Sequence, residues 1–77
     1  MQLSSFIEKI QQELDELDLS DMTADTVFLD IPGWSSLYAL VLMALLATEY
    51  NIELTAEQMS NIHTVKDAFS AVCARAS

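Results

Sequence analysis

The stretch Ser36-Leu37-Tyr38-Ala39-Leu40-Val41-Leu42-Met43-Ala44-Leu45-Leu46-Ala47-Thr48-Glu49-Tyr50 carries one charge in its whole length. It has no glycine or proline, and leucine and alanine dominate it, so it reads as a single helix. It is apolar on nearly every face, so it either runs through the centre of a core or leaves surface for a partner. Ser35 suits the N-cap position before it, and Asn51 suits the stop.

Working back from this helix, Pro32-Gly33 breaks regularity ahead of it. Residues 18–35 form a long connection holding Asp18, Ser20, Asp21, Thr23, Asp25 and Thr26. Loops of this length need anchoring, and Val27, Phe28, Leu29 and Ile31 are the expected anchors. Further upstream, Leu3, Phe6, Ile7, Ile10, Leu14 and Leu17 fall on one stripe of a helix over about Leu3 to Leu17, with Ser4 or Ser5 as cap. Downstream, an extended Ile52-Glu53-Leu54 leads to Thr55-Ala56-Glu57-Gln58. There Thr55 and Gln58 have the spacing of a capping box for a short helix. Thr64 opens the last helix with Asp67 three residues on, and Val65, Ala68, Phe69 and Val72 face inward. The expected architecture is an all-α four-helix bundle, with three long helices, one short one and a long loop between the first two.

The chain has 77 residues, 52% of them apolar, which suffices for one domain and a modest core. The formal net charge of −9 argues against nucleic acid and anionic membranes as partners and favours a basic one. The charge is uneven. Glu8, Glu13, Asp15, Glu16, Asp18, Asp21, Asp25 and Asp30 precede residue 31, and no charge lies between Ile31 and Thr48. The one cysteine, Cys73, cannot make an internal disulfide, which suggests a reducing, cytoplasmic setting. No signal peptide is visible at Met1-Gln2-Leu3-Ser4-Ser5. The longest apolar run, Leu37 to Ala47, falls well short of the ~20 residues that cross a bilayer, so no membrane insertion is expected.

Ser36 is the residue with chemistry to offer. It opens the apolar helix, where free N–H groups and the helix dipole favour a bound or attached phosphate. Hydrolysis at this serine is not supported. Gly33-Trp34-Ser35-Ser36-Leu37 lacks the second glycine of a nucleophile elbow, and His63, the only histidine, has no evident orienting partner. His63 suits a surface or capping role before the last helix. Cys73 reads as a small buried hydrophobe, Met43 and Met59 as adaptable core fillers. Trp34 reads as packing the loop end against the core, with lining of a ligand as the alternative.

Together these residues resemble the acyl carrier protein family. The family pattern Gly-x-Asp-Ser-Leu stands here as Gly33-Trp34-Ser35-Ser36-Leu37. The likeness continues through Leu42, Leu46, Glu49, Tyr50, Glu53, Leu54, Glu57, Ile62, Thr64-Val65 and Ala68, over essentially the whole chain. The resemblance implies a non-enzymatic carrier with 4′-phosphopantetheine attached to Ser36, holding an acyl, aminoacyl or polyketide intermediate as a thioester. The implied partners are a phosphopantetheinyl transferase and acyl-loading and acyl-accepting enzymes, which would meet a monomer at Ser35, Leu37, Tyr38, Leu40, Val41 and Ala44. Two departures stand out. Ser35 replaces the acid before the serine, and the helix that follows lacks the family's carboxylates, which implies a more apolar docking surface and a dedicated partner. The alternative is an unmodified carrier-like scaffold or interaction module.

Overall fold

The computed structural model describes residues 2–76, with side chains through residue 74. Four helices follow in order: α1 Leu3–Glu13, α2 Ser36–Tyr50, α3 Ala56–Ser60 and α4 Val65–Ala76. The long connection holds one 3₁₀ turn, Phe28–Asp30. Helices α1, α2 and α4 pack on one another pairwise, while no residue of α3 is fully buried. Among the described residues there is no strand, only an isolated antiparallel bridge between Val27 and Thr64. No described helix is long and apolar enough to cross a membrane. The all-helical expectation holds.

The core gathers Phe6, Ile10 and Leu14 of the first segment, Leu42, Leu45 and Leu46 of α2, and Val65, Ala68 and Val72 of α4. Phe6 is fully buried, with its ring 5.5 Å from Tyr50 and 5.4 Å from Phe69. One α1 side chain thereby ties α2 to α4. Burial raises the pKa of the Tyr50 phenol. On the outside, Lys9 meets Glu49 at 3.5 Å.

The long connection is held to α4 chiefly by its backbone. Phe28 N–H donates to His63 O at 2.9 Å, Val65 N–H to Thr26 O at 3.0 Å and Lys66 N–H to Ala24 O at 2.9 Å. The helix signals Thr55 and Thr64 act as expected. Thr55 and Gln58 form a reciprocal capping box. Thr64 Oγ1 accepts from Asp67 N–H at 3.1 Å, and Asp67 Oδ2 accepts from the N–H groups of Thr64 and His63. Asn51 ends α2 in the left-handed conformation at φ 55°, and the N–H of Ile52 turns back to Leu46 O.

Several details differ from the sequence reading. α1 ends at Glu13 rather than Leu17. Acids crowd its end and no basic residue stands in its last turn, an arrangement the helix dipole disfavours. Its N-cap is Gln2, and Ser4 and Ser5 lie inside the first turn, because Leu3 packs on the core as part of the helix. Leu29 anchors nothing: it is 76% exposed. Successive residues of a 3₁₀ turn point about 120° apart, so burying Phe28 turns Leu29 outward. Cys73 is exposed rather than buried. It follows Val72, and one helical step of about 100° carries it off the inward stripe. Met43 and Met59 are half-buried wall residues rather than members of the buried core.

Candidate functional site

Pro32-Gly33 delivers the chain to α2. Gly33 adopts φ 85°, a value that L side chains rarely take, and a Cβ there would stand 3.3 Å from Leu17 Cδ2. Trp34 N–H then closes a turn onto Ile31 O at 3.0 Å. Ser35 is extended, at φ −146° and ψ 175°, and occupies the N-cap as expected. It caps through its backbone alone: its carbonyl accepts from the N–H groups of Tyr38 and Ala39, and its hydroxyl makes no capping bond.

Ser36 is the first residue of α2 and is exposed. As at every helix start, the N–H groups of Ser36 and Leu37 have no partner within the helix. An exposed hydroxyl beside outward N–H groups at the positive end of a 15-residue helix is a fitting anchor for a phosphodiester. No acid stands in the first turn of α2 to oppose that charge.

Aromatic rings brace this corner. Trp34 stacks on Phe28 at 5.3 Å and lies 6.0 Å from Tyr38. The Tyr38 hydroxyl donates to Glu16 Oε2 at 3.1 Å, which raises the phenol pKa and links α2 to the segment after α1. Of the six residues expected to meet a partner, Ser35, Leu37, Leu40 and Ala44 are exposed, while Tyr38 and Val41 are half-buried against the core.

An apolar cleft of about 310 Å³ lies between the long connection, α2 and α3. Phe28, Trp34, Ala39, Met43, Met59 and Ile62 form most of its wall, with His63 and Ser60 as its polar members. Ser36 and Met43 are seven residues apart and so share a helix face, two turns or about 10 Å distant. No single segment makes this cleft, which is why reading along the chain missed it. Trp34 packs the loop end against Phe28, as expected, and is one wall of the cleft. His63 serves α4 through its backbone, as expected, and also reaches the cleft.

A second hollow lies under the long connection, floored by Leu19, Met22 and Ile31 and edged by Asp18, Asp21 and Asp30. Asp18 accepts from the hydroxyl and N–H of Ser20, which lowers its pKa. Among the described residues no group of three or more His, Cys, Asp or Glu side chains is placed to hold a metal ion. The sequence matches no protein-family model and no curated protein, so the functional reading rests on the chain's own residues and their arrangement.

Proposed function

We propose that this chain is an acyl carrier protein of a variant type, carrying 4′-phosphopantetheine on Ser36 and delivering an acyl thioester to partner enzymes. The observation that carries this reading is the exposed Ser36 hydroxyl at the first position of α2, the helix whose Ala39 and Met43 line an apolar cleft. Attachment forms a bond from Ser36 Oγ to phosphorus as the bond to the nucleotide half of coenzyme A breaks. The hydroxyl proton leaves to a base of the transferase. The helix end then favours the phosphodiester, and the flexible arm raises the local concentration of its thioester at a docked enzyme. An acyl group on that arm has an apolar wall within reach at Trp34, Ala39 and Met43. The chemistry needs no general base from the domain itself, and the reading assigns it no catalysis.

A second reading, an unmodified interaction module, draws support from Ser35 in place of an acid and from the exposed Leu37 and Leu40. Intact mass separates the two. The protein and its Ser36→Ala variant are incubated with coenzyme A, magnesium and a broad-specificity phosphopantetheinyl transferase. The carrier reading expects one added phosphopantetheine in the parent alone. Addition to both moves the site, with Ser35 the nearest hydroxyl. Addition to neither, with a working positive control, favours the interaction module.

A further inference from the structure

The hollow under the long connection holds about 420 Å³, within the range of small-molecule sites, roughly 300–1,000 Å³. Two kinds of surface meet in it. Its floor is the buried Leu19, Met22 and Ile31, and its rim carries the exposed Asp18, Asp21 and Asp30. No lysine, arginine or histidine lines it. The one ion pair among the described residues joins Lys9 to Glu49, so none of the three carboxylates has a basic partner. Both bonds from Ser20 fall on Asp18 Oδ1, which leaves Oδ2 able to accept from something else. The backbone bonds that Ala24, Thr26 and Phe28 make to the start of α4 fix the segment between Asp21 and Asp30, so a ligand has little ordering left to bring about.

From this pairing of surfaces we infer that the hollow is a binding site for a small organic cation, a primary amine on an apolar body of about six to ten carbons. Floor and rim each exclude part of the alternatives. A bare metal ion is disfavoured by geometry, since no three of these acids are placed to share one, and the apolar floor offers it no oxygen. A carboxylate or phosphate meets three negative charges with no counter-charge. A neutral apolar molecule covers the floor but leaves the rim uncompensated. An alkylammonium answers both surfaces: its methylenes cover Leu19, Met22 and Ile31 while its N–H groups donate to the carboxylates above them. The flexible Met22 side chain lets the floor fit bodies of different shape. The hollow shares no lining residue with the cleft at Trp34, so the inference stands apart from the carrier reading.

The test uses the unmodified protein at pH 7 and about 0.15 M salt, with hexylammonium, ethylammonium, hexanol and magnesium as probes. Amide shifts in proton–nitrogen NMR spectra give both the affinity and the place of binding. Hexylammonium should move the amides of residues 18–32 and bind roughly tenfold more tightly than ethylammonium, whose short chain leaves the floor uncovered. It should bind there roughly threefold or more tightly than hexanol. The Asp21→Asn/Asp30→Asn variant should lose roughly threefold or more in affinity, and each single variant should move in the same direction. Asp25→Asn, at an exposed acid of the same connection outside the hollow, should stay within about twofold of the parent. All three positions are exposed, and circular dichroism checks that the variants fold. Equal binding of hexylammonium and ethylammonium, or an equal loss in Asp25→Asn, reduces the effect to a diffuse attraction for cations and overturns the inference. Hexanol binding as tightly as the amine, or shifts confined to the cleft at Trp34, overturns it too. Magnesium binding at residues 18–32 more tightly than hexylammonium overturns it in favour of a metal ion.

Discussion

The Trp34 indole stacks on the Phe28 ring at 5.3 Å between centroids and 26° between planes. The residue two places before Ser36 is thereby fixed to the wall of the cleft. Trp34 is also the only tryptophan, so its fluorescence reports on that wall. Under the carrier reading, an apolar acyl group of about eight carbons on a Ser36-linked arm should shift Trp34 emission to the blue relative to the unloaded arm. A charged dicarboxylic acyl group should leave it unchanged, because burying a charge among apolar side chains is costly. Equal spectra for the two cargoes would show that the cleft does not shelter the acyl chain. The Trp34→Ala variant loses the stack and some buried area, for about 2 kcal/mol of stability by chemical denaturation.

Gly33 is the hinge that aims this corner. Its φ of 85° suits glycine, and an added Cβ would press on Leu17 Cδ2 at 3.3 Å. A Gly33→Ala variant should lose about 1–2 kcal/mol, from the left-handed backbone alone. Asn51, at φ 55° after α2, supplies the contrast. Asn51→Gly should be neutral within a few tenths of a kcal/mol, since asparagine and glycine both accept that conformation. Denaturant midpoints of the two variants settle the pair.

How far the chain discloses its fold follows from the range of the interactions involved. The α2 helix, its Ser35 and Asn51 ends, the Thr55–Gln58 box and the Thr64–Asp67 start depend on residues within a turn of one another, and each is readable from spacing. The end of α1 was not, because an apolar stripe running to Leu17 outweighed the acids at Asp15 and Glu16 in a periodicity count. Leu17 does reach the core, but from a turn. Leu29 was misplaced because a run of apolar residues in a loop does not show which of them the local turn will face outward, and the 3₁₀ turn that buries Phe28 turns Leu29 to solvent. The candidate site divides the same way. Ser36 stands out from its position before an apolar helix, whereas the cleft and the Tyr38–Glu16 bond join residues far apart in sequence.

The start of α4 titrates. The Asp67 carboxylate accepts from the N–H groups of His63 and Thr64, and these bonds lower its pKa. A carboxyl whose pKa falls on folding stabilises the fold above its unfolded pKa of about 4, and that contribution fades as pH drops through the folded value. At pH 7 an Asp67→Asn variant should therefore melt below the parent, and the gap should narrow as pH falls below about 4. A gap constant across that range would show that the charge is not what holds the cap. Thr64→Ala removes the reciprocal acceptor and should cost about 1 kcal/mol at pH 7.

Ser35 is where the chain departs most clearly from the pattern it resembles, and its geometry makes the departure testable. Its backbone alone caps α2, and its hydroxyl makes no capping bond, so the side chain is replaceable. An aspartate at this position gains a favourable charge at the helix N-terminus and is as good a cap as serine. The Ser35→Asp variant should therefore match or exceed the parent's stability, by up to about 1 kcal/mol. Its carboxylate would also offer a divalent-cation ligand one residue from the Ser36 hydroxyl. Under the carrier reading, transfer of phosphopantetheine should accelerate in Ser35→Asp, with a lower requirement for magnesium. If the rate and the magnesium dependence stay at parental values while the protein folds normally, the side chain before Ser36 has no part in modification. The parent's own serine would then be a neutral substitution rather than a mark of a specialised transferase.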